Sequence, residues 1–299
     1  MAIRLSRRLS AVAGFVTPGN RLADVGTDHG YVPIALCEQG RIPRAIALDV
    51  REGPLQAARR NIAAAGLLGQ VETRLSDGLS ALAPGEADTV LLAGMGGALM
   101  QRILKEGAPV LAGVRELVLQ PQSEIPALRR FLRCAGYEIP QETVVKEDGK
   151  YYVVLRAVPR TDAQNFLPEI SVGGFRVCSG PAAGDGGESS FAAARGWQNA
   201  SAEPALDSGG SQGISGSPAV ANDFLNRFLP EDAFGPVLLA ERPALWCEWI
   251  GVKYRETETI LASLRRECEK HPENAKAAGR LEELERRREL LAAALEGTI

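Results

Sequence analysis

The sequence predicts an α/β fold built on a doubly wound, mostly parallel sheet, and three observations lead to this prediction. Strand-like segments alternate with amphipathic helical segments from residue 20 to residue 135, which is typical of parallel strands covered by helices on both faces. The first strand-like run ends in a glycine-containing turn between Arg21 and Gly30, as the first strand-to-helix connection of a nucleotide-binding sheet does. Two further strands, 137–147 and 150–158, are joined by Asp148-Gly149, which is a strong signal for an antiparallel hairpin.

Five strands are expected before the hairpin, and apolar residues at helical spacing predict the helices between them. The strands are predicted over 21–25, 45–49, 71–75, 89–93 and 116–120. The helix between the second and third strands has a proline suited to its first turn, an apolar stripe and a closing glycine, namely Pro54, Leu55, Ala58, Ile62, Ala65 and Gly66. Further helices are predicted over 97–105 and 124–135.

The composition divides the chain into three regions. Residues 1–160 carry the alternating pattern and are predicted to form the first domain. Residues 161–222 are rich in Gly, Ser, Ala and Pro and lack periodicity, which predicts a flexible low-complexity insertion. Residues 223–299 are predicted to form a C-terminal domain, in which amphipathic stretches at 245–269 and 273–296 fold as an antiparallel helical hairpin.

Composition and charge argue against a metal site, a membrane span and a strongly basic nucleic-acid-binding protein. The 299 residues have a net charge of −3, although residues 1–157 hold 19 Lys or Arg against 16 Asp or Glu and so permit an RNA partner. The five cysteines form no C-x-x-C pair and only two histidines are present, which argues against a metal site and indicates free thiols in a reducing cytoplasm. No apolar run approaches the roughly 20 residues of a membrane span, and the N-terminus lacks the apolar core of a signal peptide.

The turn after the first strand discriminates between cofactors. It has the pattern Asp24-x-Gly26-x-x-x-Gly30, and Asp28 stands where the dinucleotide fingerprint G-x-G-x-x-G has its middle glycine. A carboxylate at that position would repel the pyrophosphate of a dinucleotide, whereas S-adenosylmethionine carries a sulfonium and an ammonium group, both cationic. The turn therefore favours S-adenosylmethionine, and the alternative is a tight turn that binds no ligand.

Two further acids end the second and third predicted strands. Asp49 lies 25 residues after Asp24 and is suited to accept hydrogen bonds from the ribose hydroxyls of an adenosine-containing cofactor. The alternative for Asp49 is a solvated strand end or a helix cap. Asp77, which precedes Gly78, is suited to accept a hydrogen bond from the exocyclic amine of adenine, unless it only forms an Asp-Gly turn.

Small residues and amides end the fourth and fifth predicted strands. The segment Ala93-Gly94-Met95-Gly96-Gly97 lets the backbone approach a ligand closely. It lacks the Asn/Asp-Pro-Pro-aromatic sequence with which amino-group methyltransferases hold an exocyclic amine, which favours a ring nitrogen or another target. Gln120-Pro121-Gln122 offers two amides that can bond a base edge, or it is simply the exit from a strand.

Together these motifs resemble the bacterial tRNA (adenine(22)-N1)-methyltransferase family of the TrmK type. The matching segments are 5–9, 23–34, 48–50, 61–62, 75–79, 93–97, 119–121, 147–152 and 234–236. The resemblance covers residues 1–157 and resumes near 224, but Gln122 stands where the family commonly has Asn, and the insertion has no counterpart in the family pattern. The resemblance implies a class I methyltransferase that has a Rossmann-like sheet followed by a C-terminal coiled coil. It also implies that the protein uses S-adenosylmethionine to methylate N1 of adenine 22 in tRNA.

This interpretation assigns a role to each candidate residue, without a metal or a membrane. The residues predicted to bind the cofactor are Asp24, Gly26, Asp28, Gly30, Asp49, Asp77, Gly78 and Ala93. Those predicted to orient the target adenine for catalysis are His29, Tyr31, Gly94, Met95 and Gln120. Those predicted to contact tRNA, together with the helical hairpin, are Arg4, Arg7, Arg8 and Gln122.

Several alternatives stay open at this point. The arginines near the N-terminus could instead form a solvated helix face. The chain could also be a small-molecule methyltransferase on the same fold, or a non-catalytic module that binds S-adenosylmethionine or RNA.

Overall fold

The computed structural model describes residues 3–160 and 229–299, and the first of these ranges forms a seven-stranded mixed sheet. In chain order the strands are β1 (Leu22–Val25), β2 (Ala45–Asp49), β3 (Val71–Leu75), β4 (Thr89–Gly96), β5 (Glu116–Ser123), β6 (Tyr137–Glu147) and β7 (Lys150–Pro159). Their order across the sheet is β3-β2-β1-β4-β5-β7-β6. Strands β1 to β5 pair in parallel and β7 pairs antiparallel with both β5 and β6, so the predicted strand plan is confirmed.

Helices cover both faces of the sheet, as a doubly wound fold requires. The helices on one face are α1 (Arg7–Phe15), α2 (Tyr31–Glu38) and α3 (Glu52–Ala64), whose buried residues include Val12, Ile34, Leu36, Ala58 and Ile62. Those on the other face are α4 (Gly97–Glu106), α5 (Ala108–Leu111) and α6 (Ile125–Cys134), with Met100, Ile103, Leu104, Leu111, Leu128 and Phe131 in the core. No bounds were predicted from the sequence for α1, α2 or α5, which are 9, 8 and 4 residues long.

The strands β4 and β5 continue three residues beyond their predicted ends. The pairing of β4 with β5 shifts register between Ala93 and Met95, and it then resumes with Met95 opposite Pro121. Such an irregularity lets the chain keep its strand direction while one residue, here Gly94 with a φ of +77°, leaves the regular ladder. The Gly94–Gly96 segment therefore belongs to a strand edge, and helix α4 begins directly after it at Gly97.

A buried carboxylate ties the elements together at the amino end of β5. Glu116 is 1% exposed and accepts hydrogen bonds from the Thr17 hydroxyl (2.6 Å), the Thr89 hydroxyl (2.7 Å) and Arg156 Nε (2.5 Å). Its oxygens also accept from the Thr17 backbone N–H and the Asn20 amide. Burial alone would raise the pKa of Glu116, but the hydrogen bonds from Thr17, Thr89 and Arg156 outweigh burial and lower it.

Residues 229–299 form helices α7 (Pro230–Phe234), α8 (Pro236–Glu241), α9 (Ala244–Lys270) and α10 (Ala275–Glu296). Helices α9 and α10 pair through buried side chains that include Trp246, Ile250, Leu261, Leu284 and Leu291. Ion pairs join Arg265 to Glu285 (2.9 Å) and Glu258 to Arg288 (3.6 Å), so residues later in α9 meet residues earlier in α10. The predicted antiparallel hairpin is therefore confirmed.

The predicted insertion, 161–222, lies outside the described residues, and the domain boundaries at 160 and 223 stay predictions. In the two described ranges, no helix has both the length and the apolar character needed to cross a bilayer.

We expect Glu116→Gln to lower the free energy of unfolding at pH 7 by about 2–3 kcal/mol, because it removes the charge that the surrounding donors stabilise. The folded-state pKa of Glu116 lies below its usual value of 4.5, so its stabilising contribution is present above that pH and is lost as the pH falls through the folded-state pKa. Urea unfolding of wild type and variant should therefore give curves whose difference shrinks on acidification. Glu106→Gln, an exposed acid on α4, is the control and should change stability by less than about 0.5 kcal/mol. A difference for Glu116→Gln that persists unchanged to pH 3 would contradict this assignment.

Candidate active site at the carboxyl edge of the sheet

The strand order reverses at β1, and this reversal determines where a ligand can bind. From β1 the sheet continues to β2 and β3 on one side and to β4 and β5 on the other. The helix that follows β1 packs on one face of the sheet and the helix that follows β4 packs on the opposite face. The two connections therefore diverge at the carboxyl ends of β1 and β4, where ligands bind in open α/β sheets.

The turn after β1 needs glycine at two positions. Gly26 and Gly30 have φ values of +71° and +73°, which glycine adopts without steric cost. A Cβ on Gly26 would lie 2.4 Å from Cε of Met95, so the turn and the β4 end are in direct contact there. The amides of Gly26 and Thr27 both donate to the Leu48 carbonyl, at 2.8 and 3.0 Å, which holds the turn against β2.

Two carboxylates are buried at the ends of β1 and β2. Asp24 is 4% exposed and accepts a hydrogen bond from the Thr27 hydroxyl at 2.6 Å. Asp49 is 5% exposed and accepts from the Arg51 backbone N–H at 2.9 Å. Burial raises the pKa of Asp24 to about 7, the Thr27 hydrogen bond opposes that rise, and the negative charge of Asp49 adds to it. Arg51 Nε lies 3.9 Å from Asp49 Oδ1, but the two acids still repel each other, so a cationic ligand would stabilise their ionised forms.

The rest of the turn presents polar and aromatic groups to solvent. The side chain of Asp28 is 66% exposed, its φ is +53°, and its Oδ1 lies 3.6 Å from His29 Nε2. The rings of His29 and Tyr31 stack with centroids 5.2 Å apart and planes at 19°. The His29 carbonyl accepts a hydrogen bond from the Asn61 amide at 2.9 Å, which anchors the turn to α3. An exposed, stacked pair of rings thus lies beside the buried acids.

The acid at the end of β3 is exposed, unlike the buried acids at the ends of β1 and β2. The Asp77 side chain is 59% exposed and lies 3.2 Å from Arg102 Nη2, so it already has a cationic partner. Gly78 packs against α4, because a Cβ there would lie 3.1 Å from Ile103 Cγ2. Two apolar residues near these strand ends, Val50 and Leu75, are 60% and 57% exposed. These exposed side chains and Asp77 together form the flank of the site next to β2 and β3.

The amide of Gln120 is buried and holds the end of β4. Gln120 is fully buried, and its Oε1 accepts hydrogen bonds from Arg8 Nη1 (2.7 Å) and from the Gly94 N–H (3.2 Å). Its Nε2 donates to the Pro121 carbonyl at 3.1 Å. Both ends of the Gln120 amide are therefore bound inside the protein, and a direct contact of this side chain with the target adenine stays a prediction.

The predicted substrate-binding residues divide into two groups. Arg4 and Arg7 are exposed, as a solvated helix face also requires. Arg8 is half-buried, and its guanidinium lies over the Tyr152 ring at 5.5 Å from the centroid, so the solvated alternative is wrong for this residue. A Cβ on Gly94 would lie 3.7 Å from Arg8 Nη1 and 3.8 Å from Gln122 Nε2. The structure therefore brings Arg8 and Gln122 together at the exposed Gly94.

Three contacts were not predicted from the sequence. Asn61 anchors the turn, Met95 covers Gly26, and Arg8 reaches Gln120. Of these three residues, only Arg8 has a sequence position that indicates burial, since it lies four residues before the buried Val12 on the same face of a helix. In the described parts of the chain, no group of three His, Cys, Asp or Glu side chains could hold a metal ion.

Comparison with known proteins adds to this geometry. A family model for a methyltransferase domain matches residues 5–155. A Bacillus subtilis protein named tRNA (adenine(22)-N(1))-methyltransferase is 38% identical over 155 residues, which are 52% of this chain and 65% of that relative.

Two solved structures are similar over almost the whole chain. The crystal structure of the B. subtilis m1A22 tRNA methyltransferase TrmK superimposes with a TM-score of 0.68 at 25% identity, covering 98% of this chain and 99% of that one. Streptococcus pneumoniae Sp1610 in complex with S-adenosyl-L-methionine gives a TM-score of 0.67 at 27% identity, covering 98% and 100%. The chain belongs to the methyltransferase-domain family.

Proposed function

We propose that the protein transfers a methyl group from S-adenosylmethionine to N1 of adenine 22 in tRNA. The observation that carries this proposal is the pair of buried carboxylates, Asp24 and Asp49, beside the glycine turn at the point where the strand order reverses. The names of the B. subtilis relative and of the S. pneumoniae complex support the same reaction and the same cofactor. The matched segment covers only 65% of the B. subtilis relative, so substrate and product are to be established by experiment on this chain.

The residues present at this edge fit the proposed cofactor. The acid at Asp49 would accept hydrogen bonds from the ribose hydroxyls, and the adenine ring would lie toward Asp77, Gly78 and Ala93. The methionine end would lie along the turn that contains Asp24, Gly26, Asp28 and Gly30, where the ammonium group meets buried negative charge. Arg102 would have to release Asp77 for that carboxylate to bind the adenine amine.

In the proposed mechanism the protein acts mainly by positioning. S-adenosylmethionine supplies the methyl group on a positively charged sulfur. N1 of neutral adenine already carries a lone pair, so no side chain has to remove a proton to create the nucleophile. The backbone of Gly94-Met95 and the exposed rings of His29 and Tyr31 would orient the base, the rings by stacking on it. If adenine 22 is paired or stacked, swinging it out would cost a few kcal/mol.

Phosphate contacts are proposed for the arginines near the N-terminus and for the helical hairpin. Arg4 and Arg7 are exposed, and Arg8 and Gln122 lie beside Gly94. These residues can hold the tRNA backbone near the reacting base. A tRNA substrate implies a cytoplasmic location, and the free thiols of Cys37, Cys247 and Cys268 agree with that.

We expect the protein to convert adenosine 22 of unmodified tRNA into N1-methyladenosine when it is incubated with labelled S-adenosylmethionine. Nucleoside mass spectrometry identifies the product, and the same tRNA with guanosine at position 22 is the control that should incorporate no label. Recovery of N6-methyladenosine, or label in the guanosine-22 control, would contradict the proposed target. Absence of any transfer to tRNA would leave the small-molecule or non-catalytic alternative.

We expect Asp49→Asn to weaken the binding of S-adenosylmethionine by about tenfold or more, because the ribose hydroxyls lose a charged acceptor. Isothermal titration calorimetry measures the affinity, and the melting temperature shows whether the variant stays folded. Glu52→Gln, an exposed acid three residues further along the chain, is the matched control and should keep the wild-type affinity. Wild-type affinity in folded Asp49→Asn would exclude this residue from the cofactor site.

The binding of S-adenosylmethionine should release protons near pH 6.5, because the cation favours the ionised form of Asp24, whose pKa in the free protein is about 7. Affinity should therefore rise with pH through 7. The stability of the free protein should have the opposite pH dependence. Protonated Asp24 contributes fully to the free energy of unfolding at pH values below its usual pKa of 3.8, and this contribution is lost as the pH rises through 7.

Calorimetry in two buffers with different ionisation enthalpies measures the released protons. Asp24→Asn cannot release a proton at this position and should show a flatter pH dependence. Equal binding enthalpies for the wild type in both buffers would show that the cofactor does not meet Asp24.

A further inference from the structure

Arg8 occupies a position where an amphipathic helix normally carries an apolar side chain. It lies one turn before Val12 on the face of α1 that packs against the sheet. The first turn of α1 is held in place at both sides, since the Leu9 N–H donates to the Ser6 hydroxyl (3.3 Å) and the Arg8 N–H donates to Glu147 (3.4 Å). Burying part of a guanidinium group costs free energy, so the contacts that it makes at this position require an explanation.

The Arg8 side chain starts a connected path to the proposed cofactor turn. Its Nη1 donates to Gln120 Oε1 at 2.7 Å, and the same oxygen accepts the Gly94 N–H at 3.2 Å. Gly94 is the residue at which β4 leaves the regular ladder, and Met95, which follows it, lies directly over Gly26. Two hydrogen bonds and one van der Waals contact thus connect α1 to the turn after β1.

The remaining donors of Arg8 are available for a ligand. Among the described residues, only the Nη1 group of its guanidinium makes a hydrogen bond, and one face of the group lies over the Tyr152 ring. Arg8 can therefore bind a phosphate oxygen through its other N–H groups while it keeps its bond to Gln120. The neighbouring Arg7 is exposed on the same helical turn.

We infer that Arg8 is a positioning residue, which couples the binding of the tRNA backbone at α1 to the placement of the Gly94-Met95 backbone, with Gln120 as the intermediate. This inference rests on the proposed function, since the ligand at α1 is the tRNA. A bound phosphate holds the guanidinium in place, the guanidinium holds the Gln120 amide, and the amide holds the Gly94 N–H. The target base and the methyl donor would meet at that backbone, where small displacements strongly reduce the rate of transfer.

The path predicts which kinetic constant changes when Arg8 is removed. The carboxylates of Asp24 and Asp49 are held by Thr27 and by the Arg51 backbone, and neither contact involves Arg8. Cofactor affinity should therefore survive the loss of Arg8. The rate of methyl transfer at saturating tRNA should fall, because the Gly94-Met95 backbone would lose the support of Gln120 and Arg8.

The experiment compares Arg8→Met with Arg115→Met, which makes the same change of charge at the opposite edge of the sheet, where the Arg115 side chain is 74% exposed. Met keeps an unbranched side chain with a similar helix propensity and removes the charge and the hydrogen-bond donors. We expect Arg8→Met to lower kcat by about ten- to a hundredfold while the Kd for S-adenosylmethionine stays within about threefold of wild type. Arg8→Lys keeps a donor for Gln120 and should recover part of the lost kcat. Arg115→Met should match the wild type in both constants.

Hydrogen exchange of the Gly94 amide provides a readout that does not depend on the reaction. The exchange should be faster in Arg8→Met than in wild type and unchanged in Arg115→Met. Wild-type kcat in Arg8→Met, or a loss confined to KM, would overturn the inference provided that the wild-type protein methylates tRNA. If the wild-type protein does not methylate tRNA, the proposed function is overturned instead. In that case too, unchanged hydrogen exchange of the Gly94 amide in Arg8→Met would overturn the path from Arg8 to Gly94.

Discussion

The structure of this site depends on the close approach of the Gly26 backbone to the Met95 side chain where the strand order reverses. Gly26, after β1, meets the side chain of Met95, after the irregular end of β4, at a distance that leaves no room for a Cβ. Any larger residue at Gly26 would displace the Met95 methyl group and would also be strained, because a φ of +71° disfavours residues that have a Cβ.

Buried acids at the two ends of the sheet have pKa values that are shifted in opposite directions. At the amino end, Glu116 is surrounded by donors from Thr17, Asn20, Thr89 and Arg156, and its pKa is lowered. At the carboxyl end, Asp24 has a bond from Thr27 and a neighbouring negative charge, and its pKa is raised. The first arrangement stabilises the fold by itself, whereas the second would be stabilised further by a cationic ligand. Incomplete stabilisation of this kind is expected at binding sites more than in structural cores.

Much of the fold follows from local sequence. The strands β2 and β3 were predicted with their observed bounds, because each is a short run between a helix end or turn and an acid or polar exit. The hairpin was predicted from Asp148-Gly149, and both residues have the positive φ values that its turn requires. The glycine turn was likewise predictable from the positions of Gly26 and Gly30.

The contacts that were missed depend on residues far apart in the chain. The extension of β4 requires the register shift against β5, and the burial of Gln120 requires α1 to pack above it. A polar residue at a strand exit has the same local pattern whether it faces a ligand or a neighbouring helix, so the sequence could not distinguish these roles for Gln120. Arg8 is the corresponding case on the helix side, because a single arginine on an apolar stripe does not reveal its partner.

The most direct test of a cofactor site at the reversal of strand order is a crystal structure of the protein with S-adenosylhomocysteine bound. The expected result has the ribose hydroxyls at roughly 2.6–3.2 Å from the Asp49 carboxylate, the amino-acid end along the turn from Gly26 to Gly30, and the sulfur facing Gly94-Met95. Density for the ligand at any other edge of the sheet, or a ribose that makes no contact with Asp49, would contradict the site described above.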